Sequence, residues 1–593
     1  MKKNSFRFLS LLTIISVFVV TAQAQVKKDP MKGFDSFVEK TMQDWNVPAV
    51  SIAIVKDGEV LLTKGYGFAD VEGKRKADAT TLFAIGSSTK AFTAAAVLQL
   101  VDEQKIDLDK PVIHYLPDFK LYDDYATNHI TTRDLLTHRS GLPRHDFAWY
   151  GTEVNREQLY QRLRYLEPTA ELREKWQYQN LMYMTAGILV GQIEGDGWEK
   201  AVRTKILNPL GMLNTNLSIG EMQRVKNHAL PYQDKDGAAV KMDFRNIDAI
   251  GPAGSINSNA VDMAKWLQCL LNDGKLGDKE ILSSTAVNAM YQPQMTMPGG
   301  IAHDELFYNS YGLGWMISSY RGHLSVEHGG NIDGFTASVC FMPRDRFGVV
   351  VLSNMNATIL NTIIRNNVID RLSGLQPKDW NSIYKVEYES MKNAVKVVEN
   401  QEDIIRVEDT KPSFALKNYT GNYENKGYGI LKVIEKDKQL MIVRGGDSTV
   451  LTHYHFDVFQ TGSDAGKLKV HFEMNVNGEL TNLNLPLEPA LSKPIEFTKL
   501  PEVTLVGADG LKLYEGKYVF PQVGQTATVK VKGEELTVTI PGQPTYTLTP
   551  YKTHQFNLKG LEGYSMKFTI EGSKATKATF IQPNGSFTFE REE

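Results

Sequence analysis

The strand-like segments of this chain lie far apart in the sequence, and this separation limits the folds that the chain can adopt. Residues 49–55 and 59–66 are β-rich runs, and Lys56-Asp57-Gly58 between them is typical of a β-hairpin. Residues 336–342 and 348–353 form a second pair of strand-like runs much later, with helical patterns in between. We therefore predict an α+β domain in which one antiparallel sheet is flanked by helices, rather than a βαβ repeat.

The character of the sequence changes after residue 375. Residues 31–375 form the predicted α+β domain, and the polar, helix-prone residues 376–411 predict a connecting helix and linker. From residue 412 onward, short alternating strands separated by Gly and Asn turns predict an all-β region.

The all-β region contains a repeat. The segment YTGNY at residues 419–423 recurs as YEGKY at residues 514–518, and two further matches follow in the same order. These matches pair Leu440 with Leu536 and residues 470–472 with residues 566–568. The repeat predicts two copies of a small β module, over residues 412–500 and 501–593.

The first residues predict an export signal. Lys2, Lys3 and Arg7 precede an apolar run over residues 8–20, and the small residues around Ala24 suit a cleavage site after it. The run is short for a bilayer span, and a retained anchor is the alternative. We expect residues 1–24 to be removed from a periplasmic or secreted protein without a stable membrane anchor.

Composition argues against several partners. The net charge is −3 and the sequence pI is near 6.5, so a nucleic-acid partner has no electrostatic support. Histidines and cysteines show no metal-ligand spacing, no Gly-rich phosphate loop is present, and we expect neither a metal nor an organic cofactor.

Cys269 and Cys340 are the only cysteines, and buried packing is the expected role. A single bridge between them stays open.

A serine and a lysine stand three residues apart at the start of a predicted helix. Ser87 and Lys90 lie where the strand-like residues 82–86 meet a helix over residues 89–101, so both side chains project to one face. A Ser hydroxyl becomes a nucleophile when a base takes its proton, and a partly desolvated Lys can help to do so. Alone, this spacing also fits a capping Ser beside an exposed Lys.

Tyr178 and Asn180 form a second candidate motif, just before a helical run. A phenol can act as a base when a cation such as Lys90 stabilises its phenolate. Asn180 is then expected to donate to Lys90 or to the carbonyl side of a substrate. The spacing is weak alone, because Tyr423 and Asn425 repeat it in the all-β region.

His328-Gly329-Gly330 forms a third candidate motif, directly before Asn331. Glycines at this place let the backbone come close to a ligand, because no Cβ intervenes. The backbone N–H groups of Ser87 and Asn331 are a candidate oxyanion hole. Alone, the motif also fits a Gly-rich turn beside a surface His.

In this order, the three motifs resemble those of the serine β-lactamase and penicillin-binding-protein superfamily, in its class C-like branch. The likeness extends over residues 31–375 and includes four further stretches: WNVPA at 45–49, LLTHRSGL at 135–142, YGLGW at 311–315 and GVVVLSN at 348–354.

The resemblance implies roles for the matching residues. Ser87 is the acylated nucleophile, Lys90 and Tyr178 transfer protons, and Asn180 faces the substrate together with His328, Gly329 and Gly330. His328 stands where β-lactamases carry a Lys, a departure that looks more like the peptidase and esterase members. We expect His138 and Arg139 to shape a loop, and Asp333 to be a turn residue.

The resemblance implies an exported serine hydrolase that acts through an acyl-enzyme on a small amide, peptide or ester. It favours a D-amino-acid-type peptidase, such as a D-alanyl-D-alanine carboxypeptidase or D-aminopeptidase. A carboxylesterase, a class C-like β-lactamase and a penicillin-binding protein without turnover are the alternatives. The β modules resemble small barrels appended to such hydrolases, and a structural role, oligomer assembly and substrate gating all stay open for them.

Overall fold

The computed structural model describes residues 29–299, 303–399, 406–500 and 508–592, except the single positions 523, 534 and 562. The predicted export signal over residues 1–24 lies outside the described residues. Among the residues that are described, no helix is both long and apolar enough to cross a membrane. The chain forms an N-terminal domain over residues 34–372, a connecting helix and two closed β-barrels.

The secondary structure alternates in the N-terminal domain and becomes almost purely β after residue 420. The helices are α1 (Phe34–Asp44), α2 (Thr89–Asp102), α3 (Asp124–His129), α4 (Thr132–Leu136), α5 (Arg156–Arg162), α6 (Asn180–Glu194), α7 (Trp198–Val202), α8 (Asn208–Leu210), α9 (Ile219–Arg224), α10 (Gly251–Gly254), α11 (Ala260–Leu271), α12 (Ser284–Met290), α13 (Leu360–Leu372), α14 (Trp380–Glu399), α15 (Leu416–Tyr419) and α16 (Ala508–Leu511). The strands of the N-terminal domain are β1 (Ala49–Lys56), β2 (Glu59–Asp70), β3 (Arg75–Lys76), β4 (Phe83–Ala84), β5 (Tyr232–Lys235), β6 (Ala238–Lys241), β7 (Asn257–Ser258), β8 (Lys275–Leu276), β9 (Lys279–Glu280), β10 (Met295–Thr296), β11 (Leu306–Tyr311), β12 (Met316–Tyr320), β13 (His323–Ile332), β14 (Phe335–Met342) and β15 (Phe347–Ser353).

One antiparallel sheet of nine strands organises the N-terminal domain, in the order β10-β11-β12-β13-β14-β15-β1-β2-β3. The predicted hairpin is β1 and β2, and Asp57 and Gly58 in its turn both have positive φ. The predicted late strands are β14 and β15, and β15 pairs with β1 so that Val50 lies opposite Ser353. The prediction of one sheet built from distant segments is confirmed.

Helices cover both faces of this sheet, which explains the unbroken apolar runs of β1 and β15. Ala53 and Val55 face a core that contains α2 and α11. Ile52 and Ile54 face the opposite core, which contains α1 and α13. Because successive side chains of a strand point to opposite faces, a strand covered on both faces shows no polar alternation.

The all-β region consists of two closed eight-stranded barrels, as the repeat predicts. The first barrel contains β16 (Gly421–Asn425), β17 (Gly429–Lys436), β18 (Gln439–Arg444), β19 (Asp447–His455), β20 (Val458–Thr461), β21 (Lys469–Met474), β22 (Leu480–Leu485) and β23 (Ile495–Lys499). The second contains β24 (Gly516–Phe520), β25 (Gln525–Lys532), β26 (Glu535–Thr539), β27 (Tyr546–Lys552), β28 (Gln555–Leu558), β29 (Ser565–Glu571), β30 (Lys574–Gln582) and β31 (Gly585–Arg591). The module boundaries at residues 412 and 501 stay predictions.

The repeated tyrosines make the same local contact in each barrel. Tyr423 Oη donates to the carbonyl of Tyr419 at 2.8 Å, and Tyr518 Oη donates to the carbonyl of Tyr514 at 2.8 Å. Each hydroxyl thereby closes the short loop that leads into the first strand of its barrel. The sequence repeat is therefore a repeat of one structural unit.

Removing one of these hydroxyls gives a test of barrel independence. We expect Tyr423→Phe and Tyr518→Phe each to lower the free energy of unfolding of its own barrel by about 1 kcal/mol, the usual net contribution of an internal hydrogen bond. Hydrogen–deuterium exchange on peptides from each barrel measures the loss. Tyr308→Phe is the control, because that side chain is 82% exposed. An equal loss in both barrels from one substitution would contradict the expectation.

Candidate active site

Ser87 lies in a 3-10 turn, Gly86–Ser88, that continues directly into α2. The helix predicted over residues 89–101 is confirmed, and it is buried along most of its length between α6, α10 and α12. Its small alanines leave room for these close neighbours. Ser88 Oγ donates to the carbonyl of His328 at 3.0 Å and so joins this turn to β13.

The amine of Lys90 is fully buried beside three oxygen atoms. Its Nζ lies 3.1 Å from Ser87 Oγ and 2.8 Å from each of two acceptors, Asn180 Oδ1 and the carbonyl of Ala253. Burial, and after it the positive charge of Arg144, hold the pKa of Lys90 well below its usual range. A neutral amine has two hydrogens for the two acceptors and one lone pair for the Ser87 hydroxyl. The arrangement therefore suits an amine that takes the proton of Ser87.

Tyr178 approaches Ser87 from the segment just before α6. The centre of its ring lies 4.7 Å from Lys90 Nζ, and its hydroxyl lies beside the side chain of Ser87. Burial raises the pKa of Tyr178, and the contact with Ser87 and the charge of Arg144 offset only part of that rise. The phenol is therefore neutral and holds a proton that it can donate.

Asn180 is held at both ends of its amide. Lys90 Nζ donates to Oδ1 at 2.8 Å, and Nδ2 donates to Asp146 Oδ1 at 3.1 Å. Donation from Asn180 to Lys90, one of the two predicted alternatives, is wrong in direction, because the amide oxygen accepts from the amine. Donation to the carbonyl side of a substrate stays a prediction. Asn180 therefore orients the amine, and its NH2 group reaches a carboxylate.

His328 lies on β13 with both ring nitrogens bonded to protein partners. Nδ1 donates to the carbonyl of Gly329 at 2.6 Å, since a carbonyl can only accept, and the hydroxyl of Tyr311 donates to Nε2 at 3.0 Å. Burial lowers the pKa of His328 to about 3. The imidazole is therefore neutral where β-lactamases carry a cation.

Two glycines let β13 pass directly against the turn that carries Ser87. A Cβ on Gly330 would lie 1.8 Å from the carbonyl oxygen of Ile85, and a Cβ on Gly86 would lie 2.8 Å from Asn331 N. Gly86 also has φ +50°, in the left-handed region that favours glycine. The backbone at Ser87 and the backbone at Asn331 consequently lie side by side, which is the arrangement an oxyanion hole requires.

A cavity of about 1070 Å³ opens over Ser87. The first barrel forms part of its wall through Glu488, Pro489 and Ala490, which no motif in the sequence marks. The charged side chains that line it are Arg144, Glu327, Arg365 and Glu488. The candidate site therefore belongs to two domains.

Arg144 and Asp146 also join the site without a motif of their own. The guanidinium of Arg144 lies 5.1 Å from the centre of the Tyr178 ring, and its Nε donates to Asp146 Oδ2 at 2.6 Å. The only signal in the sequence is their position directly after the family-like stretch at residues 135–142.

His138 shapes a loop, and it does so against Tyr178. Its backbone has φ 58°, and its Nδ1 accepts the N–H of Gln179 at 3.0 Å. Its ring lies 4.3 Å from the ring of Tyr178. Asp333, in contrast, is more than a turn residue, because it accepts from Tyr150 Oη at 2.7 Å and from Arg245 Nε at 2.9 Å.

The two glycines of β13 give a matched pair of substitutions. We expect Gly330→Ala to slow acylation of Ser87 by about a hundredfold, since the new methyl group drives the strand away from Ser87 and removes a backbone donor. Gly329→Ala has room, because its Cβ would meet only the carbonyl of Ala337 at 3.7 Å. The labelling rates of the two variants with a small fluorophosphonate measure the difference. Their melting temperatures are compared first, so that a difference in rate is not a difference in folding. Similar rates for both variants would exclude the close approach as the cause.

Two family models match parts of this chain. The family model described as Beta-lactamase matches residues 34–370, and a model described as a domain of unknown function, DUF3471, matches residues 406–499. Unguisins hydrolase ungD′ of Aspergillus campestris is 32% identical over 443 residues, which are 71% of this chain and 81% of that protein. Protein flp of Staphylococcus aureus strain MRSA252 is 28% identical over 348 residues, 58% of this chain and 66% of that protein.

A solved structure shares the fold over a longer span. The octameric penicillin-binding protein homologue from Pyrococcus abyssi superposes with a TM-score of 0.54 at 25% identity, and the match covers 79% of this chain and all of that one. The Beta-lactamase model itself covers more than half of this chain. The chain therefore belongs to the β-lactamase family, as a serine hydrolase with the β-lactamase fold and two C-terminal barrels.

Proposed function

We propose that this protein hydrolyses the amide bond of short peptides through an acyl-enzyme on Ser87, as a D-amino-acid-type peptidase. The observation that carries the proposal is the environment of Lys90. The buried amine has two oxygen acceptors for its hydrogens and the Ser87 hydroxyl opposite its lone pair. This pairing is complete only when the amine is neutral, which is the form that can act as a base.

Acylation follows from the positions of three side chains. Ser87 Oγ attacks the substrate carbonyl carbon while its proton passes to Lys90. The backbone N–H groups of Ser87 and Asn331 stabilise the oxyanion of the tetrahedral intermediate. When the C–N bond breaks, Tyr178 donates its proton to the leaving amine, and the proton held by Lys90 restores the phenol.

Deacylation reverses the same proton path. A water molecule attacks the ester carbon, and its proton passes to the Tyr178–Lys90 pair. The pair then returns a proton to Ser87 Oγ as the C–O bond breaks. The products are the free carboxylic acid and the regenerated hydroxyl.

The cavity supports a peptide rather than a single small group. Its volume of about 1070 Å³ lies at the upper end of small-molecule sites, and side chains of both charges line it. The fungal relatives are named unguisins hydrolases, which supports hydrolytic turnover. The preference for D-amino acids rests on the resemblance of the motifs.

Three alternatives differ from this proposal in chemistry. A class C-like β-lactamase is disfavoured because neutral His328 offers no positive charge to the carboxylate of a β-lactam. A carboxylesterase uses the same nucleophile and differs only in its leaving group. A penicillin-binding protein without turnover differs at the deacylation step.

Export and assembly are part of the proposal. The charged and apolar pattern of residues 1–24 supports a periplasmic or secreted location. The octameric homologue supports a test for oligomers, with the C-terminal barrels as the proposed contact region.

The identity of the nucleophile is tested by intact mass spectrometry of residues 25–593. We expect a fluorophosphonate to add once to the wild-type protein and not at all to Ser87→Ala, because activation by Lys90 is specific to that hydroxyl. Absence of an adduct on the folded wild-type protein would overturn the acyl-enzyme proposal.

The substrate class is tested with matched compounds. We expect faster turnover of a D-amino-acid dipeptide amide than of its L enantiomer, of the corresponding methyl ester or of a chromogenic cephalosporin. Single-turnover kinetics separate acylation from deacylation. Preference for the ester would favour the carboxylesterase, and a stable adduct with the cephalosporin would favour the binding protein without turnover.

The protonation of Lys90 predicts a pH dependence. Because burial lowers the pKa of Lys90, its neutral fraction rises with pH and saturates well below the ordinary lysine pKa of about 10.4. We expect the acylation rate to rise with pH in the same way and then level off. Lys90→Arg keeps the charge at every accessible pH, and we expect a loss of about a thousandfold. A rate independent of pH, or unchanged in Lys90→Arg, would remove Lys90 from the mechanism.

A further inference from the structure

Residues 143–150 form a loop, called here the 143–150 loop, that touches the catalytic side chains on one side. Asp146 accepts from Asn180 Nδ2 at 3.1 Å, and Asn180 in turn accepts from Lys90. Arg144 lies over the ring of Tyr178 at 5.1 Å. The loop therefore contacts Tyr178 directly and Lys90 through Asn180.

The opposite side of this loop is held by the first barrel through His145. The backbone N–H of His145 donates to Glu488 Oε2 at 2.7 Å. Its Nε2 donates to the carbonyl of Glu167 at 2.9 Å, so Nδ1 carries the lone pair and accepts from Tyr428 Oη at 2.7 Å. The side chain is buried, and its pKa is lowered by that burial, so the imidazole stays neutral and fully paired.

Two arginines add further contacts between the same two domains. Arg444 at the end of β18 donates to the carbonyls of Phe147 and Tyr150 in the loop. Arg245 bridges Asp333, beside β13, and Asp447 of the first barrel, at 2.9 Å to each. The apolar core of the first barrel is also continuous with that of the N-terminal domain. This contact is therefore a packed interface.

The backbone conformation of His145 indicates that neighbouring residues fix the shape of the loop. His145 has φ 47° and ψ 33°, a left-handed conformation that a residue with a Cβ adopts at a cost. Such a conformation persists when the surroundings fix it, and here the fixing bonds to Nδ1 and to the backbone N–H come from the first barrel.

We infer that the first barrel, which the domain of unknown function matches, is a positioning element of the active site. His145 and Tyr428 are the positioning residues. Through them the barrel fixes the 143–150 loop against Asn180 and Tyr178. The inference rests on the proposed function, because it assumes that Ser87 is acylated with the help of Lys90. Tyr428 and His145 act through Arg144 and Asp146 and touch no reacting atom.

A loosened loop has a defined chemical effect. When the loop moves away, water enters beside Lys90 and the charge of Arg144 is removed, and both changes raise the pKa of Lys90 toward its usual range. The loss of Asp146 lowers that pKa, but it is the smallest of the three effects. The remaining titratable side chains around Lys90 come from other segments and stay in place. They are His138, Tyr178, Tyr183 and His328.

The test is Tyr428→Phe in the full chain, which removes the hydroxyl on His145 and keeps the ring packed against Phe497. We expect labelling of Ser87 by a fluorophosphonate to slow by about tenfold to a hundredfold, as for a small misplacement of catalytic groups. We also expect the rate–pH profile to shift to higher pH. The matched control is Tyr423→Phe, which removes a buried hydroxyl from the same barrel that bonds to the carbonyl of Tyr419 and not to the 143–150 loop.

The outcomes separate the inference from the proposed function. Slower labelling and a shifted profile in Tyr428→Phe, with wild-type behaviour in Tyr423→Phe, support the inference. Wild-type rate and profile in folded Tyr428→Phe overturn it, and so does equal slowing in both variants. Absence of labelling in the wild-type protein overturns the proposed function instead. If Tyr428→Phe does not fold, Arg444→Gln, which cuts the bonds to Phe147 and Tyr150, takes its place with the same expected results.

Discussion

The burial of one amine is the constraint on which the rest of the site depends. A charged amine in an apolar interior is costly, so Lys90 is stable there only with oxygen partners on every side or without its charge. The partners come from three elements: Ser87 precedes α2, Asn180 begins α6, and Ala253 lies in α10. The packing of these helices therefore also places the amine beside Ser87, the proposed nucleophile.

The second constraint is the close contact of β13 with the turn before α2. Gly330 and Gly86 lack the Cβ atoms that would separate the two segments, and Ser88 bonds them together. Since β13 is an interior strand of the nine-stranded sheet, a rigid element fixes one half of the proposed oxyanion pair. The proposed nucleophile and the proposed oxyanion donors thus lie on one rigid framework, whereas Arg144 and Asp146 lie on a loop that contacts the first barrel.

Local patterns in the sequence predict the parts of this structure that depend on neighbours in the chain. The hairpin of β1 and β2, the helix after Ser87 and the repeated tyrosines follow from spacing and turn residues. The direction of the bond between Lys90 and Asn180 and the contact of Glu488 with His145 do not. They join residues that are distant in sequence, and only the packing of helices and domains brings them together.

The pairing of β1 with β15 has a consequence for synthesis. Val50 and Ser353 are neighbours in the sheet and about 300 positions apart in the chain. At roughly 5–20 residues per second, a ribosome needs about 15 to 60 s to make the second strand after the first. During that time β1 has only β2 beside it, and its other edge stays unpaired. The nascent chain thus exposes an unpaired strand edge until residue 353 has been made, and a truncation before β15 leaves an aggregation-prone edge.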